Sequence, residues 1–284
     1  MQREFQIGSN WVYYKIYCGV KIADTILLEY LKETIIHLKE ERLIEKWFFI
    51  RYNDPDPHIR LRFLLSQNSN LTKVIALLSV VFETLQVQNL INKVQLDAYV
   101  REIERYGEST YELTESIFES DSEMILDYLK FKNAFSESTF PLLFSFLSIN
   151  AFLELFQLSN EDKLTILHQL QHSFKAEFNA NTTLKSELDK HYRSIANQIS
   201  EVLQQKQEEF QLIFDLVNSK NNKIKSTTSL NQIKFEVPVF SFFTSQIHMM
   251  INRQYTSRQR EYELVIYDHL YRYYKEQLYF LIKE

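Results

Sequence analysis

The 284-residue sequence predicts an α+β fold: a mainly antiparallel sheet packed with helices in the N-terminal half, then a helix-rich C-terminal half ending in a long helix. Three observations carry this. With 3 glycines and 4 prolines, the chain favours long regular elements over a turn-rich all-β architecture. The stretch WFFIRYNDPDPHIRLRF, residues 47–63, reads as strand, turn and strand. From Ser136 to about Val217 the apolar residues recur almost throughout at helical spacing. A hydrophobic content of 45% is ample for a packed core, which argues against wholesale disorder.

In chain order, Trp11–Gly19 (WVYYKIYCG) is rich in aromatic and β-branched residues and reads as a strand. Asp24 and Thr25 offer N-caps for a helix to about Arg42, with Ile26, Leu27, Tyr30, Leu31, Ile35 and Leu38 at helical spacing. In the hairpin, Pro55 and Pro57 mark the turn, because proline fixes φ and cannot join a ladder. Ile59, Leu61 and Phe63 then alternate with Arg60 and Arg62, the period of a half-buried strand. Leu71–Leu85 reads as an amphipathic helix, Val94–Tyr99 as a strand, and Ser109–Leu129 as a helix; Arg101–Gly107 has no clear period. Phe140–Phe156 is apolar, but Pro141, Ser145, Ser148, Asn150 and Glu154 interrupt it, which fits a buried helix better than a membrane span. Lys220–Gln232 is polar and aperiodic and reads as a mobile surface loop. A final helix is expected from about Phe243 to Ile282.

Several function classes drop out. No GxGxxG or Walker-type loop is present, so a mononucleotide site is not expected. A net charge of −5 gives no general attraction to nucleic acid. Cys18 stands alone, which excludes an intrachain disulfide and a cysteine zinc site; its apolar setting reads as burial. His168 and His172 stand at i,i+4 without a third ligand, so no metal is expected. No GxSxG elbow or cysteine–histidine pairing signals a nucleophile. With no signal-peptide pattern and no apolar run judged long enough to span a bilayer, the expectation is a soluble, cytoplasmic protein.

Three polar clusters remain. Arg60 and Arg62 share a strand face with His58 at its entrance; they form either a solvated face or a fixed guanidinium pair that holds a carboxylate. Glu102 and Arg105 are i,i+3 neighbours if their turn is helical, and an ordinary surface salt bridge is the plainer explanation. His248 and Asn252 lie at i,i+4 on one helix face, followed by Arg253. Histidines in apolar settings are more often structural than catalytic.

Taken in order, WFFIRYNDPDPHIRLRF, YVREIERYG, TESIFESDS and HMMINRQYTSRQREYELVIYDHLYRYYK resemble the C-terminal elimination domain of class I lantibiotic dehydratases. That domain also occurs as free-standing thiopeptide-type bacteriocin biosynthesis proteins. The resemblance runs from Trp11 to about Lys275, with little contribution from residues 131–240. One departure is Glu108, where the family commonly has a second glycine after RYG.

The resemblance implies one elimination-type domain over residues 1–284: an α+β part (1–130), a helical part (131–219), a polar loop (220–236) and a terminal helix (237–284). It implies removal of glutamate from glutamylated Ser or Thr of a ribosomal precursor peptide, giving dehydroalanine or dehydrobutyrine, as the small half of a split tRNA-dependent dehydratase. A separate glutamyl-tRNA-dependent glutamylation subunit is the implied partner, with no direct nucleic-acid binding, no membrane insertion and no cofactor. Homodimerisation is expected by family analogy alone. By motif matching, Arg60 or Arg62, Glu102, Arg105 and His248 correspond to the family's functional positions, with His58, Asn252 and Arg253 as substrate-binding or supporting residues. The arginines suit the carboxylates of the departing glutamate, and His248 is the expected general acid/base. Glu102 either orients Arg105 or acts as base. Two alternatives accompany this reading. One is a pyridine synthase joining two dehydroalanines by a formal [4+2] cycloaddition, whose members lose the elimination residues; the other is a non-catalytic peptide-binding partner of a glutamylation protein.

Overall fold

A computed structural model describes residues 1–281 apart from 136–137, 207, 228–229 and 231–232. The chain divides into two compact units. The first comprises Met1–Lys130 with Asn231–Pro238 and Asn252–Ser257; the second comprises Phe131–Leu230, Val239–Ile251 and Arg258–Glu284.

In the first unit, β1 (Glu4–Phe5) precedes β2 (Trp11–Tyr17). A helical segment follows, α1 (Ala23–Thr25), a π-helical stretch (Ile26–Leu31) and α2 (Lys32–Glu40). Then come β3 (Ile44–Tyr52), β4 (His58–Leu65), α3 (Leu71–Val87), β5 (Lys93–Asp97), β6 (Tyr99–Val100), α4 (Ile103–Tyr106) and α5 (Tyr111–Phe131). The four long strands pair in the order β3-β4-β2-β5, all antiparallel, while β1 pairs with β6. Strand–helix–strand–strand–helix–strand with this order is the ferredoxin-like arrangement.

Register assigns the two faces. Tyr14 meets Phe82 of α3 with ring centroids 5.0 Å apart, so Val12, Tyr14 and Ile16 look toward the helices with Ile59, Leu61 and Phe63. The opposite face carries Tyr13, Lys15 and Tyr17 beside Arg62, Arg60 and His58, and these beside Phe48, Ile50 and Tyr52. At one end of that face Phe48 packs on Phe118 of α5 and on Tyr99 of β6.

The ladder phase also shows which backbone groups face outward at the two edges. Leu65 N–H donates to Asn10 C=O and Cys18 N–H to Pro57 C=O, extending the β2–β4 register. Even-numbered residues of β2 therefore bond to β4 and odd-numbered ones to β5. By the same alternation, Phe49 and Arg51 turn their backbone groups out from β3, and Val94 and Leu96 turn theirs out from β5.

The second unit is helical: α6 (Phe140–Leu155), α7 (Asn160–Glu177), α8 (Thr182–Leu203), α9 (Gln211–Thr227), most of α10 (Val239–Gln254), and α11 (Gln259–Leu281). α6 is buried nearly all round, as its apolar sequence predicts. Ser159 caps α7 with a reciprocal bond to Asp162. Phe174 of α7 meets Tyr267 of α11 edge-on at 4.9 Å.

Three expectations are corrected. The stretch taken as a loop from Lys220 continues α9 to Thr227, because Lys220 and Ile224 are buried and Asn221 Nδ2 donates to Ala151 C=O at 2.9 Å; its residues 228–229 and 231–232 lie outside the described residues. The single terminal helix is two helices, α10 and α11, parted where Arg258 takes φ 54°. Asn68–Val87 is helical over 20 residues and, by length and composition alone, long and apolar enough to cross a bilayer, although Val74, Leu78, Phe82 and Leu85 are buried within the unit.

Gly107 settles the geometry of the RYG turn. It has φ 81°, and a Cβ there would lie 2.8 Å from Thr110 Oγ1. Glu108 has no positive φ and needs no glycine; its N–H and that of Ser109 both donate to the Glu236 carboxylate.

Candidate functional site

Arg60 and Arg62 come from alternate positions of β4 and so share its helix-free face. Arg62 is 7% exposed. Its guanidinium lies over the rings of Tyr13 at 4.3 Å, Tyr99 at 4.9 Å and Phe48 at 5.3 Å. Among the described residues no carboxylate pairs with it and its buried Nε has no hydrogen-bond partner. Burying a guanidinium without an anion is costly, and aromatic faces offset only part of that cost. Arg60 stacks on Tyr52 at 3.5 Å and donates from Nε to His58 Nε2 at 3.1 Å.

His58 is buried and orients Arg60. Its Nδ1 donates to Asp56 C=O at 2.7 Å, so Nε2 is free to accept from Arg60. Burial lowers its pKa, and the nearby Arg60, Lys15 and Arg62 act in the same sense against the Asp56 carbonyl, so the ring is held neutral. On the neighbouring strands, Lys15 pairs with Asp97 and Lys93 lies 4.2 Å over Tyr17. Burial tends to raise the Asp97 pKa, but Lys15 and the Ala98 N–H bring it below the usual value.

Glu102 and Arg105 form the expected i,i+3 pair at 3.2 Å, with both side chains about half exposed. Among the described residues neither touches Arg60 or Arg62 by hydrogen bond or ion pair. A chain of contacts nevertheless joins them: the Glu102 N–H donates to Tyr111 Oη, Tyr111 meets Tyr99 Oη, and Tyr99 lies under Arg62. Burial, then the Glu115 charge, raises the Tyr99 pKa well above its ordinary value, which keeps its hydroxyl a donor.

TESIFESDS, in α5, proves to be scaffold. Arg101 makes two bonds to Glu115 at 2.7 and 2.6 Å. Ser116 accepts from Lys46, Glu119 pairs with Lys39, Asp121 with Arg253, and Ser122 Oγ accepts from the Phe49 N–H. Asn252 and Arg253 belong to this scaffold too. Asn252 Oδ1 accepts from the Arg51 N–H and its Nδ2 donates to the Arg51 C=O, both at 2.9 Å, as a further strand would. Arg253, fully buried, donates from Nε to Phe49 C=O at 2.9 Å. Their geometry gives them a supporting place at the β3 edge.

His248 belongs to the second unit. Its Nδ1 lies 2.6 Å from Glu263 Oε1, and Glu263 is fully buried while His248 is half-buried. Glu263 also accepts from Tyr267 Oη at 3.0 Å and from Arg260 Nη1 at 2.9 Å. A fixed carboxylate at Nδ1 holds the proton on that nitrogen and leaves Nε2 as the proton acceptor. Glu263 was missed in the sequence. The available signal was a carboxylate beside the apolar run Leu264–Ile266, in the same motif as His248.

Residues 11–274 match the profile of the family described as lantibiotic biosynthesis dehydratase, C-terminal. The subtilin biosynthesis protein SpaB of Bacillus subtilis is 27% identical over 183 residues, 63% of this chain and 18% of that protein. The nisin biosynthesis protein NisB of Lactococcus lactis subsp. lactis is 29% identical over 189 residues, 65% of this chain and 18% of that protein. The match thus takes in under a fifth of the length of either relative. Among solved structures, the tRNA-dependent lantibiotic dehydratase MibB from Microbispora sp. 107891 superposes with TM-score 0.72 at 18% identity, over 93% of this chain and 28% of that one. TbtD, a pyridine synthase from thiomuracin biosynthesis, superposes with TM-score 0.59 at 12% identity, over 96% of this chain and 100% of that one. At these identities the likeness is one of fold.

Proposed function

The chain belongs to the family of C-terminal lantibiotic biosynthesis dehydratase domains, and from that premise we propose that it eliminates glutamate from glutamylated Ser or Thr residues of a ribosomal precursor peptide. The peptide would be loaded by a separate glutamyl-tRNA-dependent glutamylation subunit, with residues 1–284 working as one elimination-type domain. In the reaction a base takes the Cα proton, the Cβ–O bond breaks, glutamate leaves as a carboxylate, and a Cα=Cβ bond remains.

The observation that carries this reading is Arg62, a buried guanidinium stacked on three rings with no carboxylate opposite it among the described residues. Such a group suits an incoming carboxylate, and the glutamyl adduct brings one. Arg60, fixed by His58 and Tyr52, is the second donor. His248, with its proton held at Nδ1 by Glu263, takes the Cα proton at Nε2. Arg105, oriented by Glu102, stabilises negative charge as it develops toward the carbonyl oxygen.

The test is mass spectrometry of a glutamylated precursor peptide after incubation with this protein alone. Loss of glutamate that leaves a dehydro-residue is expected, and an unchanged peptide would count against the reading. His248→Ala should fold normally and leave the glutamylated peptide to accumulate; normal dehydration by that variant would remove His248 from its role. The full-length superposition on TbtD keeps a second reading in view, cycloaddition of two dehydroalanines. A macrocyclic product with loss of the leader segment would favour it.

A further inference from the structure

The two edges of the four-stranded sheet are finished differently. On β3 the outward backbone groups of Phe49 and Arg51 are all taken by side chains: Ser122 and Arg253 at Phe49, Asn252 twice at Arg51. On β5 the outward groups belong to Val94 and Leu96, and among the described residues β5 pairs with β2 alone. No hydrogen bond to the outward N–H or C=O of either residue is present among the described residues. An unpaired edge of this kind is a template for another strand. Lys93 and Asp97 put a charge at each end, which discourages casual self-pairing while the centre stays open.

Register says what lies beside that edge. Lys93, Gln95 and Asp97 share their face with Lys15, Tyr13 and Tyr17, and beyond them with Arg60 and Arg62. A strand added to β5 would send every second side chain onto this face, at roughly 10 Å from β2 and roughly 14 Å from β4. Arg62 lies over Tyr13 of β2 whereas Arg60 lies over Tyr52 of β3, so Arg62 is the arginine set toward such a strand. Among the described residues the cations there, Lys15, Lys93, Arg60 and Arg62, stand against one carboxylate, Asp97, so the face complements an anionic side chain.

We infer that the β5 edge binds the precursor peptide as an added strand, through the backbones of Val94 and Leu96, with alternate peptide side chains on the arginine face. This rests on the elimination reading for the identity of the peptide, but not for the strand geometry.

The test uses the wild-type protein and a fluorescein-labelled heptapeptide whose central residue carries glutamate through an amide, so that it binds without reacting. N-methylation of one backbone nitrogen at a time should weaken binding in an alternating pattern, by roughly tenfold at the two nitrogens that face Val94 and Leu96 and little between them. Val94→Pro removes an outward donor without taking a ladder bond and should weaken binding similarly, with the fold checked by circular dichroism. A flat or contiguous N-methyl profile overturns the inference, as does no measurable binding. So does a β5-mediated dimer that the peptide fails to dissociate. The ester peptide is followed in parallel by mass spectrometry. Turnover with a flat profile overturns the edge alone, whereas an alternating profile without turnover supports the edge and overturns the elimination reading.

Discussion

Arg253 and Arg62 are both buried guanidiniums in the same unit, and they differ in what stands opposite them. Arg253 meets Asp121 at 3.3 Å, donates to the Phe49 carbonyl and lies over Phe118 at 4.4 Å. Arg62 meets aromatic rings and no carboxylate among the described residues. Two other buried arginines of the unit follow the first pattern, Arg101 on Glu115 of α5 and Arg51 on Asp24 of α1. The face of β4 follows the second. A paired buried charge maintains a fold; one held only by rings retains its capacity to pair with an anion. The contrast therefore separates scaffold from candidate chemistry within a single unit.

Removing one arginine of each kind should have opposite consequences. Arg253→Met leaves Asp121 buried with its ion-pair partner gone and should destabilise by about 3–5 kcal/mol, measured by denaturant unfolding. A cost under about 1 kcal/mol would mean that the pair is not structural in the sense argued. Arg62→Met should behave in the opposite way. It relieves an unneutralised buried charge, so stability should stay within about 1 kcal/mol of wild type, while elimination falls at least ~100-fold, or about 2.7 kcal/mol in barrier. Loss of folding without a specific loss of rate would move Arg62 into the scaffold.

Asn252→Ala comes next. It strips partners from the Arg51 N–H and C=O at the β3 edge and should cost about 2 kcal/mol. Amide exchange at Arg51 should accelerate, while peptide elimination per folded molecule is retained. Loss of elimination in a stable Asn252→Ala protein would return this residue to the substrate.

Why the sequence separated these classes only in part follows from distance along the chain. The period-2 run from Ile59 to Phe63 placed Arg60 and Arg62 on one face, because alternation is a local property. Whether a carboxylate faces them is not local: the partner of Arg253 is Asp121, and that of Arg101 is Glu115. Helical spacing groups Asn252 with His248, because residues four apart share a side, and Arg253 follows directly. In fact His248 engages Glu263, while Asn252 and Arg253 close the β3 edge. The break before α11 lacks a local sequence signal for a related reason. With so few glycines, helix ends here use Arg42, Asn89, Gln157, Asn179 and Gln205 at positive φ, as does Arg258 just ahead of α11. Leu43 N–H to Leu38 C=O and Leu90 N–H to Leu85 C=O close two of these ends in the Schellman manner. Nothing in the local sequence announces such a turn when glycine does not supply it.

The smallest effect concerns pH, and it falls on the unpaired side alone. His58 is buried, and that burial lowers its pKa, with its neighbouring cations adding to the shift. A histidine whose folded pKa lies below its unfolded value binds more protons when unfolded, so its contribution to stability is fully present above the unfolded value, about 6.5, and is lost as the pH falls below it. Protonation would also cost Arg60 its acceptor at Nε2 and set a second cation beside it. Between pH 8 and pH 5.5, then, the β4 face should loosen first, seen as faster amide exchange at Arg60 and Tyr52. The α5 side, whose ion pairs contain no histidine, should hold its exchange rates over the same range. His58→Gln, which keeps a hydrogen-bonding side chain without the titration, should flatten the profile at Arg60. Equal loosening on both sides in the wild type would show that the two patterns of arginine are not independent.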